Sequence, residues 1–238
     1  MNFHDKIVVV TGGTGGLGRE VTMAFLEAGA RVAVTYRAAE EYAAVVSAAG
    51  RVGAAVPTGA VVDVTDAAAV GKFIAETVAS QGRLDILVNT VGAYVGGVNV
   101  WEVDPHEYDR MLQLNLQAGF VLARAVVPQM IKQNRGWIVN VASKAAFDHA
   151  AGGSLYAASK AAVVALMDSL AAEVKPYNIN VNSILPSIID TAANRKAIPN
   201  ADFSKWPKPE EIARVILFLC SEEARVIQGA AIPVYGKS

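Results

Sequence analysis

The 238-residue sequence has a single cysteine, Cys220, and only three histidines. One cysteine can form neither a disulfide within the chain nor a cysteine-based metal cage. The histidines His4, His106 and His149 lack the spacing of metal ligands, and none has an obvious partner for a Ser-His-Asp triad. We therefore expect no metal centre and no histidine-based hydrolase chemistry.

An excess of one charge and a long apolar run are also missing. Lysine and arginine number 21, aspartate and glutamate 22, and like charges form no block. Neither nucleic acid nor an anionic membrane is therefore an expected partner. Mean hydropathy is +0.33, but no stretch reaches the roughly 18 uninterrupted apolar residues of a spanning helix. The apolar run 7–10 is too short for a signal-peptide core. We expect a soluble, cytoplasmic protein.

Short β-branched runs alternate with helix-like stretches along the whole chain, and 53% of the residues are hydrophobic. Predicted strands are 7–10, 32–35, 60–63, 84–88, 137–141, 180–185 and 230–234. Predicted helices are 17–28, 40–49, 66–81, 104–133, 154–175 and 209–221. Most of these strands are apolar throughout, which is typical of parallel strands covered on both faces. The pattern predicts a single α/β domain over 1–238, a doubly wound Rossmann-type fold with a seven-stranded parallel sheet.

One segment departs from this alternation. Residues 187–209 are polar, hold three prolines and lack clear periodicity. Connections of this length are usually functional or disordered. Since the segment follows a predicted strand, we expect it to form a lid over a ligand.

A glycine-rich motif connects the first strand to the first helix. It comprises Thr11, Gly12, Gly13, Thr14, Gly15, Gly16, Leu17 and Gly18. Glycine permits a positive φ and a close approach of backbone to phosphate. A helix that starts there presents free N–H groups to a pyrophosphate. The alternative is a tight turn without a ligand, but the position between strand and helix favours dinucleotide binding.

The second predicted strand ends in Thr35, Tyr36 and Arg37. Sites for NAD usually place an acid at this point to bind the ribose hydroxyls. Glu40 and Glu41 come later and are expected on a helix surface. Arg37 suits a 2′-phosphate, so NADP(H) is favoured over NAD(H). The alternative is an exposed arginine that binds no ligand.

Tyr156 and Lys160 have the i, i+4 spacing that places two side chains on one helix face. A free tyrosine has a pKa of about 10 and is a poor acid–base group at neutral pH. A lysine cation nearby would lower that pKa. Ser143 follows a predicted strand, and its hydroxyl is placed to share a substrate oxygen with the phenol. His149, between Ser143 and Tyr156, is either a residue of the substrate cleft or a solvated histidine.

Two asparagines occur in apolar surroundings. Asn115 lies among leucines in a predicted helix, where it either bonds to backbone or holds a water that relays protons toward Lys160. Asn89 closes the fourth strand and either braces the sheet or contacts the cofactor.

Together these motifs resemble the short-chain dehydrogenase/reductase family over essentially the whole chain. The resemblance implies that Tyr156 is the general acid in reduction, that Lys160 lowers its pKa and holds the nicotinamide ribose, and that Ser143 orients the substrate oxygen. It also implies that Asn115 holds the water molecule of a proton relay. It extends the cofactor site to Asp63 and Val64 at the adenine, to Asn89, Thr90, Val91 and Gly92, and to Pro186, Ser187, Ile189 and Thr191. It also implies a homo-oligomer, dimer or tetramer, with 104–133 and 154–175 as contact surfaces.

The sequence departs from that family at three places. Thr90 and Val91 replace Asn-Ala, Ser187 replaces a glycine, and Gly15 replaces the basic residue of many NADP-specific members. The region 185–206 is also similar to quinonoid dihydropteridine reductases. Those enzymes generally lack a serine at the position of Ser143. We therefore expect a carbonyl/alcohol oxidoreductase using NAD(P)H. Pterin reduction is the alternative, and a non-catalytic dinucleotide sensor is a third possibility.

Overall fold

All 238 residues are described by the computed structural model. Seven strands form one parallel sheet. They are Ile7–Thr11 (β1), Arg31–Tyr36 (β2), Thr58–Val61 (β3), Ile86–Asn89 (β4), Gly136–Val141 (β5), Ile179–Pro186 (β6) and Ala231–Val234 (β7). Their order across the sheet is β3-β2-β1-β4-β5-β6-β7, and every neighbouring pair is parallel. The predicted doubly wound, seven-stranded parallel sheet is confirmed.

Eight α-helices surround the sheet. They are Gly18–Glu27 (α1), Ala39–Arg51 (α2), Ala67–Gln81 (α3), Pro105–Leu112 (α4), Ala118–Gln133 (α5), Ser154–Val174 (α6), Ala192–Ala197 (α7) and Pro209–Leu219 (α8). One hydrophobic core packs α1, α2 and α8 on one face of the sheet, and a second packs α3, α5 and α6 on the other. Because both faces are covered, the central strands β1, β4 and β5 are buried along their whole length and are largely apolar.

The prediction of a single α-helix over 104–133 is wrong in the middle of that range. Asp104 caps α4 by accepting from the His106 amide, but residues Gln113–Gln117 form a π-helical stretch before α5 begins. Such stretches are rare and occur often at functional sites. Here the stretch carries Asn115, whose side chain bonds outside its own helix.

Two helical stretches, Pro105–Gln133 and Ser154–Tyr177, have the length and hydropathy of a membrane span. Residues of both lie in the core beneath the sheet, among them Leu122, Val126 and Met167. Leu166 and Leu170 pack against that same core. Packing within the α/β layers therefore accounts for their apolar character.

Residues 187–209, which show no clear periodicity in the sequence, contain α7 and a 3-10 turn at Phe203–Lys205. The Thr191 hydroxyl caps α7 by accepting from the Asn194 amide. Six residues are too few to produce a visible helical period in the sequence. The third strand also lies earlier than predicted, at Thr58–Val61, so that Asp63 follows the strand.

Candidate active site

The carboxyl ends of the parallel strands meet at one edge of the sheet, and most of the predicted site residues follow those ends. Gly12 follows β1, Arg37 follows β2, Thr90 follows β4, Ser143 lies just beyond β5, and Ser187 follows β6. Strand order reverses between β1 and β4. In open α/β sheets, ligands bind in the crevice at such a reversal.

The glycine loop is shaped by contacts that only glycine tolerates. Gly12 has φ +67°, in the left-handed region. A Cβ on Gly18 would lie 2.0 Å from the Gly12 carbonyl oxygen, and one on Gly16 would lie 2.9 Å from Cγ2 of Thr191. A Cβ on Gly15 would meet nothing closer than 3.5 Å. Gly16 and Gly18 are therefore fixed by packing, whereas position 15 has room for a side chain.

This loop fits a dinucleotide phosphate. The amides of Gly16, Leu17 and Gly18 donate no hydrogen bond within the chain, and Leu17 provides no side-chain cap to α1. Free amides at the start of a ten-residue helix present partial positive charge to an anion. The Gly13 amide donates to the Thr35 carbonyl oxygen, 3.1 Å away, which holds the loop against β2.

Thr90 and Val91, which replace the family's Asn-Ala, pack against the same loop. The Thr90 hydroxyl donates to the carbonyl oxygen of Thr11 at 2.7 Å. A Cβ on Gly12 would lie 3.1 Å from both the Thr90 hydroxyl and the Val91 side chain. The bulkier pair therefore fills the space beside Gly12 and ties β4 to the loop.

At the end of β2, Tyr36 stacks on Tyr42 with ring centroids 4.6 Å apart, and Arg37 is exposed. Hydrogen bonds from Thr65 lower the pKa of Asp63, and the Arg37 charge lowers it further. Val64 is buried. Arg37 and Asp63 thus carry opposite charges near one another at the predicted adenosine end.

Glu41 lies on the exposed surface of α2, as expected, and it also has a partner in the glycine loop. Its carboxylate accepts a hydrogen bond from the Thr14 hydroxyl at 2.9 Å, although the residue itself is exposed. An acid therefore lies against the glycine loop. The sequence signal was weak, because Glu41 is five residues beyond the end of β2.

Asn89 braces the sheet, as one of its two predicted roles required. Its side-chain oxygen accepts from the Thr11 hydroxyl at 2.8 Å and from the Val91 amide at 3.2 Å. Its amide donates to the Asn140 side-chain oxygen at 2.8 Å. Three adjacent strands are thereby joined just below the glycine loop.

Tyr156 and Lys160 lie on one face of α6, as predicted. The Lys160 ammonium is 5.9 Å from the centroid of the Tyr156 ring and donates to the Val141 carbonyl oxygen at 3.1 Å. Lys160 is 4% exposed, and burial lowers its pKa to about 8. A buried amine of this kind is poised between charged and neutral forms near physiological pH.

The phenol has the opposite shift to the one expected from a neighbouring cation. Burial raises the pKa of Tyr156, the side chain of Ser143 opposes that rise through hydrogen bonding, and Tyr94 adds to it. Desolvation is the largest of these effects, and Lys160 does not contribute to the shift. The phenol therefore stays protonated at neutral pH.

Asn115 projects from the π-helical stretch toward the loop after β4. Its side-chain oxygen accepts from the Ala93 amide at 2.9 Å, and its nitrogen donates to the Ala93 carbonyl and to the Ser159 hydroxyl, both at 3.0 Å. A Cβ on Gly92 would lie 2.9 Å from both the Asn115 oxygen and the Lys160 nitrogen. Asn115 thus clamps Ala93 beside the buried amine.

Ser143 is buried and begins a short turn, where its hydroxyl accepts from the Ala145 amide at 3.2 Å. The Ser143 side chain is near enough to Tyr156 to lower the pKa of the phenol. His149 lies on the exposed part of this turn, and its ring nitrogen bonds to the Ala146 carbonyl at 3.2 Å. The structure therefore places Ser143 near Tyr156, whereas His149 is exposed.

The residues after β6 contact two different parts of the molecule, the glycine loop and the hydrophobic core. Thr191 contacts the glycine loop at Gly16, whereas Ile189 packs against the core beneath α1 and α8. Pro186 ends β6, and the Ser187 hydroxyl donates to the Tyr235 carbonyl oxygen at 2.7 Å. Ser187 is thus hydrogen-bonded to the chain near its C-terminus.

The contact between Thr191 and Gly16 borders a polar cleft of about 360 Å³. The residues that line it are Gly16, Glu20, Asp190, Thr191, Ala192, Arg195, Lys208, Pro209 and Glu210. Arg195 forms two hydrogen bonds to Asp190 there, at 2.5 and 2.8 Å, and this pairing lowers the pKa of Asp190. The cleft reaches the predicted pyrophosphate position but not Tyr156.

The chain matches the sequence pattern described as short chain dehydrogenase over residues 6–202. It is 33% identical to the 3-oxoacyl-[acyl-carrier-protein] reductase FabG of Thermotoga maritima, over 99% of this chain and 98% of that protein. The pattern match covers every predicted site residue from Thr11 to Thr191.

Solved structures agree with the sequence relationship. The structure of NAD+-bound xylitol dehydrogenase superimposes with a TM-score of 0.92 at 26% identity, covering 99% of this chain and 100% of that one. The structure of ElxO with NADP bound gives 0.89 at 27% identity, covering 97% of each chain. The chain belongs to the short-chain dehydrogenase family.

Proposed function

We propose that the protein reduces a ketone or aldehyde, or oxidises the corresponding alcohol, with Tyr156 as the proton donor or acceptor. The observation that carries this proposal is the grouping of Tyr156, Ser143 and Lys160 at the carboxyl end of β5. A phenol and a second hydroxyl together suit one substrate oxygen. A raised phenol pKa keeps a proton available for donation at neutral pH.

In reduction, the Tyr156 hydroxyl donates its proton to the carbonyl oxygen while the Ser143 hydroxyl hydrogen-bonds that oxygen and orients it. In oxidation the same phenol oxygen takes the proton back. Lys160, when charged, stabilises negative charge as it develops on the phenol. Asn115 holds Ala93 beside Lys160, and the second lone pair of its oxygen is suited to the relay water.

The glycine loop, the end of β2 and the segment after β6 would hold a nicotinamide dinucleotide. When bound, this cofactor supplies or accepts the hydride. Family membership supports NAD(P) as the class, and relatives of known structure bind either form. We propose a preference for NADP(H), with Arg37 as the partner of the 2′-phosphate. The carboxylate of Glu41 at Thr14 opposes a phosphate there, so these two residues set the preference.

The position of Ser143 favours a carbonyl over a pterin substrate. Quinonoid dihydropteridine reductases generally lack this serine, whereas the Ser143 side chain lowers the pKa of Tyr156 here, which supports a shared role in carbonyl reduction. Ser143→Ala should reduce turnover of ketones severely and leave any pterin reduction nearly unchanged. Assays of both substrate types with the same variant separate the two functions.

The proposed chemistry is tested with Tyr156→Phe, which removes one oxygen from the site. We expect loss of turnover on a panel of ketones and aldehydes, with NADPH binding retained in a fluorescence titration. Tyr108→Phe is the matched control, because Tyr108 is 52% exposed on α4. Full turnover in Tyr156→Phe would rule out the mechanism, and cofactor binding without turnover in the unmodified protein would favour a sensor.

We also propose a homo-oligomer, dimer or tetramer, in the cytoplasm. Phe120 on α5 is 50% exposed, which suits a contact surface on the predicted helices. Sedimentation of the full chain and of Phe120→Glu measures this directly.

A further inference from the structure

Residues Tyr235–Ser238 form hydrogen bonds near both ends of the segment 187–207. At its start, the Ser187 hydroxyl donates to the Tyr235 carbonyl oxygen at 2.7 Å. The Ser238 hydroxyl donates to the Ser187 oxygen at 2.7 Å and contacts the Tyr235 carbonyl at 3.0 Å. We name Tyr235–Ser238 the tail clasp.

At the other end of the segment, the Lys237 amide donates to the Lys205 carbonyl oxygen at 2.9 Å. Gly236 has φ +66°, and a Cβ there would lie 2.8 Å from that oxygen and 2.9 Å from the Pro207 nitrogen. Glycine is therefore required for the clasp to approach this closely. The Asp190 amide also donates to the Pro207 carbonyl at 3.0 Å, which closes the base of the segment.

The tail clasp also touches the turn that follows Ser143. The Lys144 ammonium lies 5.3 Å from the centroid of the Tyr235 ring and 3.3 Å from the Asp148 carboxylate. Tyr235 itself packs against the core of α5 and α6. One short stretch of chain thus contacts the turn after β5 and both ends of the segment after β6.

Between these fixed ends lie α7 and Thr191, which contacts the glycine loop. The connection would be mobile if its ends were free, because its middle is largely exposed. We infer that the tail clasp, through the Ser187 hydroxyl, is a positioning device that orders residues 188–206 for binding. Ser187 acts through the segment and not on the reacting atoms. This inference rests on the proposed function only for its kinetic readout.

Ser187→Ala removes two hydrogen bonds, but the Ser238 hydroxyl still donates to the Tyr235 carbonyl. The variant is therefore expected to speed hydrogen–deuterium exchange in residues 192–206 of the full-length protein by about fivefold, the effect of losing one net hydrogen bond. We expect KM for cofactor or substrate to rise by a similar factor, with a smaller change in kcat. Ser187→Thr keeps the hydroxyl and should restore both values toward those of the unmodified protein.

Ser204→Ala is the matched control, because the Ser204 hydroxyl bonds only to Asp202 in the same segment. Gly236→Ala disturbs the clasp from its other end and should reproduce the faster exchange, which covers the case that Ser187→Ala fails to fold. Unchanged exchange in residues 192–206 in the folded variant would overturn the inference. Exchange needs no turnover, so an inactive protein would refute the proposed function and leave this result intact.

Discussion

The ring of Tyr94 stands edge-on to the ring of Tyr156, with centroids 4.9 Å apart and planes at 80°. Tyr94 is 65% exposed, whereas the phenol it contacts is largely covered. Its hydroxyl lies over Gly96, where an added Cβ would come within 2.1 Å of it. Tyr94 therefore forms a wall between Tyr156 and solvent, and it belongs to the entrance of the site.

Tyr94→Ala should raise KM for a ketone substrate and reduce kcat less, because the variant removes the wall and leaves the reacting groups in place. An edge-to-face aromatic contact is worth about 0.5–1.5 kcal/mol, which corresponds to roughly two- to tenfold in KM. Tyr94→Phe keeps the ring and serves as the control. Equal kinetics for the alanine and phenylalanine variants would show that the ring does not bound the site.

The direction of the Tyr156 pKa shift predicts opposite pH profiles for the two directions of reaction. Oxidation needs the phenolate, so its kcat/KM should still be rising at pH 9, whereas reduction should show no such rise. Ser143 lowers the pKa of Tyr156. In the residual oxidation activity of Ser143→Ala, the rise of kcat/KM should therefore occur at higher pH than in the unmodified protein.

Ser154→Ala, at the exposed start of α6, provides the control for this profile. Initial rates of oxidation and of reduction, measured from pH 6 to pH 10 with one alcohol–ketone pair, give the two pH profiles. An oxidation rate that levels off below pH 8 would contradict a raised phenol pKa.

The sheet and its order of motifs were predictable because they depend on local periodicity and glycine content. Runs of apolar residues define the strands, and the cap of α3, in which Asp66 accepts from two amides, depends on neighbouring residues. The spacing of Tyr156 and Lys160 is likewise set by a single helix. Such features need no knowledge of distant contacts.

The contacts that were missed all join residues far apart in sequence. The Glu41 carboxylate accepts from Thr14, and the Ser187 hydroxyl donates to Tyr235. Asn115 bonds to backbone, as one of its two predicted roles required, but neither its partner Ala93 nor the π-helical turn that carries it was evident from periodicity. The pKa of Tyr156 was misjudged for the same reason, since desolvation depends on packing from several elements. Sequence spacing reports which groups are near, and burial decides how they titrate.

Alanine substitutions in the glycine loop should affect stability and NADPH binding to different extents at different positions. In Gly18→Ala the new Cβ collides with the backbone oxygen of Gly12, so the loop must rearrange and we expect a loss of stability of about 1–3 kcal/mol together with loss of NADPH binding. Gly15→Ala meets only ordinary contacts and is the control. Thermal melts and fluorescence titrations measure both effects, and equal behaviour of the two variants would contradict the packing described for the loop.

Arg37→Ala should lower kcat/KM for NADPH about tenfold or more relative to NADH, because a hydrogen bond between charged groups contributes about 1.5–3 kcal/mol. Glu41→Gln should shift the preference the other way by removing a negative charge beside Thr14. Arg51→Ala is the control, since Arg51 bonds only to Ser47 on its own helix. An unchanged ratio in Arg37→Ala would assign the cofactor preference to other residues.

Lys160 also makes stability depend on pH. Its pKa is lowered to about 8 in the folded protein from 10.5, so between these values the unfolded chain binds more protons and stability rises with pH. Below pH 8 the folded protein bears the full cost of a buried cation, about 3 kcal/mol. Lys160→Met removes the charge and keeps most of the volume.

We therefore expect Lys160→Met to be inactive but more stable than the unmodified protein at pH 7. Loss of the hydrogen bond to the Val141 carbonyl offsets about 1 kcal/mol of the gain. The advantage should shrink as the pH rises from 8 to 10, because the lysine in the unmodified protein then loses its charge. Lys72→Met is the control, since the Lys72 side chain is 77% exposed. Urea denaturation at pH 7, 8.5 and 10 measures the difference, and a constant difference across that range would show that Lys160 does not titrate there.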